Sequence, residues 1–219
     1  MNLNQLLFTR FLTLSLVLIG LSACKDEPIN ETVLNEKRAR IENLLSKKIV
    51  SNGTTITTTL KGCVLIKVLE RPDNFCTSGP SHYWKIETRT DLRDLITEPK
   101  YANINERRNG RDTDQITYKY HKKINNIYYP LTKRAFQISN EEFKKHPTDV
   151  PKRLEIISSR YKTELDINLF RNNLQTSFFC SGVQIAEPHS SMSTSIYTLP
   201  NNGKELITLV RQYRLGCER

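Results

Sequence analysis

Five cysteines, Cys24, Cys63, Cys76, Cys180 and Cys217, constrain this 219-residue chain more than any other feature, because their number is odd and their spacing is wide. An even set can close as disulfides, whereas a fifth cysteine needs its own explanation. The residues before Cys24 supply one. The amino end, MNLNQLLFTR, has Arg10 as its one charged side chain; the apolar stretch Phe11 to Gly20 follows, then Leu21, Ser22, Ala23 and Cys24. A positive start, a short apolar core and small residues at the cut are the layout of a secretory signal. Crossing a bilayer takes about 20 apolar residues, about twice the length of this core. The core also includes Thr13 and Ser15 and gives way at once to Lys25, Asp26 and Glu27. A signal peptide over residues 1–23 is therefore predicted.

Ordinary cleavage prefers small residues at both −3 and −1, but a cut after Ala23 puts bulky Leu21 at −3. Leu21-Ser22-Ala23-Cys24 instead resembles the lipobox of bacterial lipoprotein precursors, a resemblance confined to residues 1–24. It implies that the Cys24 thiol carries diacylglycerol, with palmitate-type acyl chains, and that Cys24 becomes the new amino terminus. A single acyl chain gives marginal anchoring and two give stable anchoring, at about 0.8 kcal/mol per buried CH₂. Lipoproteins carry two or three, so the lipid bilayer is the first partner this reading implies. Family knowledge also implies that Asp directly after the cysteine retains a lipoprotein in the inner membrane. Lys25 stands there, which favours the outer membrane, facing the periplasm.

Setting Cys24 aside leaves Cys63, Cys76, Cys180 and Cys217, an even set in an oxidising compartment, where a disulfide framework is the default. Four cysteines allow three connectivities. Short loops favour Cys63 with Cys76 and Cys180 with Cys217. There is no C-x-x-C, and no His stands near a cysteine at zinc-ligand spacing, so no metal or cofactor is expected. Cleavage removes one Arg and no acid, taking the net charge from +10 to +9. A basic surface favours anionic partners.

Periodicity predicts an α+β fold, mainly antiparallel sheet, with an N-terminal amphipathic helix and short helices. Residues 24–31 form the lipidated end and a spacer. A single domain over 32–219 follows, with two lobes, about 50–135 and 139–219, as the alternative. Val33, Leu34, Ile41, Leu44 and Leu45 predict a helix over Asn30 to Lys48 that docks on the body by one face. Thr54 to Leu60, Cys63 to Leu69 and His82 to Thr88 read as an antiparallel meander, with Cys76 in a loop stapled to its middle strand. Asp91 to Ile96 reads as one helical turn, and Asn103 to Asp114 as a charged loop. A hairpin is expected from Gln115–His121 and Ile127–Lys133, with Pro130 marking an edge.

Ser139, followed by Glu141 and Glu142, suits a helix start, and Pro147 and Pro151 then close a short helix. Asp166 to Gln175 suits a further helix, and Phe178 to Pro188 and Ser195 to Leu199 read as strands. In the last segment Leu206, Val210 and Tyr213 fit a helix, while Ile207, Leu209, Tyr213 and Leu215 fit a strand. A strand is preferred, since Asn201-Asn202-Gly203 is a hairpin signal.

Two strings touch on catalysis. Gly216-Cys217-Glu218-Arg219 resembles the end of the S/T-H-G-C-x-R motif of L,D-transpeptidases, but Arg214-Leu215 replace the Ser/Thr-His pair. Ser159-Arg160-Tyr161-Lys162 matches the S-x-x-K of penicillin-binding proteins, without the K-T-G and S-x-N elements that complete that site. The best contact surface is Tyr118, Lys119, Tyr120, Lys122 and Lys123, joined by Tyr128 and by Arg107, Arg108 and Arg111. An aromatic shelf edged by cations suits sugar rings and phosphorylated glycans. The expectation is a lipid-anchored envelope module that binds an anionic glycan, lipopolysaccharide, lipid phosphate or protein. Nucleic acid is a poor candidate, and no catalytic residue is assigned. The alternatives are a cell-wall hydrolase or transferase using Ser159 or Cys217, and a lipoprotein inhibitor or immunity factor.

Overall fold

β-Branched residues dominate Thr54–Lys61, and the strand they form sits in a six-stranded sheet. The computed structural model describes residues 31–45, 49–51, 54–108, 123–189, 191–199 and 201–217. Helix α1 (Glu31–Leu44) leads into β1 (Ile49–Ser51), β2 (Thr54–Lys61) and β3 (Val64–Glu70). Gly62, at φ +55°, opens the tight turn between β2 and β3, a conformation that a side chain would disfavour. A 3₁₀ segment, Asp73–Ser78, precedes β4 (Tyr83–Asp91), and a shorter one, Leu92–Asp94, follows it. Next come β5 (Asn103–Arg108), β6 (Lys123–Pro130), α2 (Lys133–Lys145) and α3 (Val150–Glu164). The chain ends with α4 (Leu169–Asn172), β7 (Leu174–Phe179), β8 (Gln184–Pro188), β9 (Ser193–Thr198) and α5 (Gly203–Cys217).

The large sheet has the order β1-β2-β3-β4-β7-β8, and β5-β6-β9 form a second sheet. Among the described residues every strand pairing is antiparallel, so the fold is α+β and mainly antiparallel. The main core gathers Leu60 and Leu65 from the large sheet, Ile127 and Ile196 from the small one, and Ile41 and Val210 from the terminal helices. Helix α1 docks: Ile41 and Leu44 are buried, and the Thr198 hydroxyl donates to the Leu44 carbonyl at 2.6 Å. A satellite core under α2 and α3 holds Ile138, Ile157, Tyr161 and Leu169. Residues Thr32–Arg219 form one compact unit.

The disulfides overturn the short-loop pairing. Cys63 bonds Cys217 and Cys76 bonds Cys180, across 154 and 104 residues. The turn after β2 meets the last turn of α5, and the loop before β4 meets the end of β7, so proximity follows topology rather than separation along the chain. Cys76 lies in the loop as expected, but its staple reaches the β7 side of the sheet. With Cys217 bonded elsewhere, nothing draws residues 204–215 alongside Cys180. They form α5, with Leu206, Ile207, Val210 and Tyr213 on its buried face.

Other differences concern boundaries. Asn103–Arg108 is a strand, and it, not Gln115–His121, is the described partner of β6; Gln115–His121 lie outside the described residues. Strand β6 is central, between β5 and β9, and Pro130 is its last residue, two beyond the final β5 pair, where the missing N–H breaks no bond to β5. Helix α2 begins at Lys133 behind the Thr132 cap, because the buried face of Ala135 and Ile138 extends it upstream of Ser139. Pro151 opens α3 behind the Asp149 cap instead of closing a helix. The predicted helix over Asp166 to Gln175 contracts to α4, and Phe178 to Pro188 folds as parts of two strands, β7 and β8, turning at Gly182, φ +83°.

Candidate functional site

A lysine interrupts the otherwise apolar run VLIKVL of β3. Period-two alternation puts Lys67 on the same face as Leu65 and Leu69, and Leu65 is in the main core. Lys67 therefore points from the large sheet toward the small one. Its Nζ donates to the Ser195 hydroxyl of β9 at 3.3 Å, and both residues are half-buried. Directly across the strands stand Thr58 of β2 and Thr88 of β4. His189, just past β8, is 8% exposed.

The polar groups here are under-satisfied. Among the described residues Lys67 makes no ion pair. Thr58 Oγ1 and His189 Nε2 are buried and have no hydrogen-bond partner among the described residues. Burial pushes the Lys67 ammonium below its ordinary range. Burial first, and the charge of Lys67 second, push His189 down to about 4, so its imidazole is neutral at physiological pH. The Lys67 ammonium, beside the Ser195 and Thr58 hydroxyls, is suited to contacting an anion, whereas His189 follows β8, three strands away from β3 in the sheet order.

A second polar cluster ties the domain together. Asp91 is fully buried and accepts from Arg93 Nε at 3.0 Å and Nη2 at 2.7 Å, and from Asn172 Nδ2 at 3.1 Å. Asn173 donates to Asp94 Oδ2 and its Oδ1 accepts from the Asp91 backbone N–H at 2.8 Å. Arg214 of α5 donates to the Leu92 and Arg93 carbonyls at 3.1 and 3.2 Å. Burial and the Asp91 charge raise Asp94 to about 8, against the Asn173 bond and the charges of Arg93 and Arg214. These partners lock β4, α4 and α5 together, which is a structural role.

Of the residues singled out in the sequence, Tyr118, Lys119, Tyr120, Lys122 and Arg111 lie outside the described residues, as does Cys24. Arg107 and Arg108 are on β5, and Lys123 and Tyr128 on β6; Arg107 faces Ile124, and Arg108 faces Lys123 in the register. Tyr128 pairs with Ser195 on its other side, which sets one member of the expected aromatic surface beside the Lys67 cluster. Ser159 and Lys162 are exposed on α3. Cys217 is in a disulfide and offers no thiolate. The sequence reading singled out neither Lys67 nor Ser195, although a lone lysine at an inward position of an apolar strand was the signal.

Among the described residues no group of three or more His, Cys, Asp or Glu is placed to hold a metal, and no helix is long and apolar enough to cross a membrane. Compared with known proteins, the chain matches no family model, no curated protein and no solved structure.

Proposed function

We propose that this chain is a lipid-anchored, disulfide-stapled module of the bacterial cell envelope, held by acylated Cys24 on the periplasmic face of the outer membrane, that binds an anionic partner. The observation that carries the reading is the pairing of Cys63 with Cys217 and Cys76 with Cys180. These bridges use every cysteine but Cys24, the residue at the lipobox position. A stable framework of this kind belongs to an oxidising compartment. The net charge of +9 after cleavage favours anionic glycans, lipopolysaccharide and acidic envelope proteins.

The partner half of the reading is tested with the detergent-solubilised protein and lipopolysaccharide. Binding weakens steeply as salt rises past physiological ionic strength, where the Debye length is about 8 Å. It weakens again when Lys119, Lys122 and Lys123 are changed together to Glu. Binding that ignores salt, or none, contradicts the reading.

A further inference from the structure

We propose that the large sheet carries a stacking site for the uncharged sugar rings of an oligosaccharide, built on Trp84 and Phe178 and edged by Gln184, Lys85 and Glu70. The proposal goes beyond the anionic-partner reading above and does not depend on it. Register brings the residues together. Glu70 of β3 pairs with Lys85 of β4, Lys85 with Phe178 of β7, and Phe178 with Gln184 of β8. Directly opposite residues share a face. That face is the one turned away from the main core, because Glu70 stands an odd number of positions from the inward-facing Leu65 and Lys67 on the same strand. Four adjacent strands put about 14 Å between the ends of the row, room for a short oligosaccharide.

An irregularity of the backbone adds Trp84 to this row. The pairing of β4 with β7 shifts between Tyr83 and Lys85, so Trp84 has no partner on β7; an extra residue of this kind re-aims a side chain. Its ring meets that of Phe178, with centroids 6.1 Å apart and planes tilted by 55°. Trp84 is the only tryptophan of the chain and is 39% exposed. A tryptophan ordinarily buries most of a large apolar surface, and an exposed one is the residue type enriched where binding energy concentrates.

The groups around the rings select the occupant. The Lys85 ammonium lies 5.0 Å from the Phe178 centroid and 3.8 Å from the Glu70 carboxylate. Further along β4 on the same face, Arg89 and Glu87 pair at 2.7 Å. These charges offset one another, so the face has no net charge to draw an ion, and a phosphate or carboxylate laid on it would meet Glu70. A wholly apolar occupant would cover Gln184, Lys85 and Glu70 and leave polar groups unpaired, which is costly. A pyranose ring presents C–H groups on its face and hydroxyls on its rim, and each hydroxyl both donates and accepts. The two aromatic rings suit the first, and the amide, ammonium and carboxylate suit the second. Gln184 is exposed and Lys85, Glu70 and Phe178 are half-buried, so the row is open to solvent along its length.

Trp84 reports on its own site. The full chain, solubilised in a neutral detergent without a sugar headgroup, is titrated with chitotetraose and with cellotetraose at about 1 M salt, where the Debye length is about 3 Å and charge-driven binding is screened. The tryptophan emission should shift saturably, and acrylamide should quench it less. Calorimetry should show Trp84→Ala and Phe178→Ala each weakening binding by about tenfold or more, with a smaller loss for Gln184→Ala. Tyr101→Ala removes another exposed aromatic ring beside a lysine, Lys100, and should leave binding unchanged. Should Phe178→Ala fail to fold, Trp84→Ala and the emission of the unaltered protein carry the same test. Binding of either sugar supports the site.

No saturable change with either sugar, or equal binding by Trp84→Ala, overturns the proposal. So does a dimer seen by sedimentation that Trp84→Ala abolishes, which would make a second copy of the chain the occupant. Salt separates this proposal from the one before it: sugar stacking persists at about 1 M salt, whereas the anionic envelope binding is lost there, so either can fail alone.

Discussion

Cys63, in the turn that opens β3, is bonded to Cys217 in the last turn of α5, and 154 residues separate them. The bond pins the carboxyl-terminal helix to the first hairpin of the large sheet. Tyr213, one turn earlier, donates to the Gly62 carbonyl at 3.1 Å beside the same hairpin turn. Covalent and hydrogen-bonded contacts thus meet at one place, and α5 is held against the core from its final turn.

Replacing both Cys63 and Cys217 by Ser should therefore destabilise the whole domain, not one half of it. On the chain-entropy model a loop of that length contributes about 5 kcal/mol, an amount that strain or residual unfolded structure reduces. Peptide mapping under non-reducing conditions should link the Cys63 peptide to the Cys217 peptide. A Cys63–Cys76 cross-link would contradict the topology.

Helix α5 makes a prediction that separates helix from strand. Val210 is 3% exposed and Leu206 is fully buried, whereas Leu215 is 47% exposed. Leu206→Ala should cost about 2–5 kcal/mol through lost burial and an unfilled cavity. Leu215→Ala should change stability by less than about 0.5 kcal/mol, as surface substitutions do. A strand that buried Ile207, Leu209 and Leu215 would give a large loss at Leu215. Chemical denaturation of the two variants decides between them.

Much of the large sheet was legible, because β2, β3 and β4 declare themselves through β-branched composition and the Lys61-Gly62 turn. The docked face of α1 was legible from the spacing of Ile41 and Leu44. The pairing of cysteines was not, since loop length ranks connectivities only when local contacts dominate. Here the elements that bring Cys217 to Cys63 are separated by most of the chain. The α5 segment satisfied both periods, and the mistaken Cys180 partner tipped the choice. Lys67 was passed over because its strand reads as apolar as a whole. Its meaning emerges only when β9 delivers Ser195 to it.

Asp94 should give the domain a measurable pH dependence. It is 3% exposed and raised to about 8 by burial and by Asp91, with Arg93, Arg214 and Asn173 opposing and Tyr161 also within its field. A carboxyl that is raised on folding holds its proton in the native state, so its favourable contribution is complete below the unfolded value of about 4. That contribution is lost as pH rises from about 4 toward about 8. Asp94→Asn should flatten the stability–pH curve over this interval and leave the variant relatively more stable at pH 8 than at pH 4. An unchanged curve would contradict a neutral Asp94.

Tyr161 anchors α3 to α2 by a hydroxyl that donates to the Ala135 carbonyl at 2.7 Å and lies 2.8 Å from Ser139 Oγ. Tyr161→Phe keeps the ring in the satellite core but strands the Ser139 hydroxyl. A loss of about 1–3 kcal/mol is expected, and Ser139→Ala in the same background should recover part of it. Thermal unfolding of the single and double variants measures the coupling.

The most direct measurement of the proposed anchoring and stapling is the intact mass of membrane-extracted protein, before and after alkylation. A chain that begins at Cys24 and carries diacylglycerol with further acyl mass is expected, unreactive toward alkylation until reduction and then taking four alkyl groups. An uncut, unacylated 219-residue chain whose thiols alkylate without reduction would contradict it.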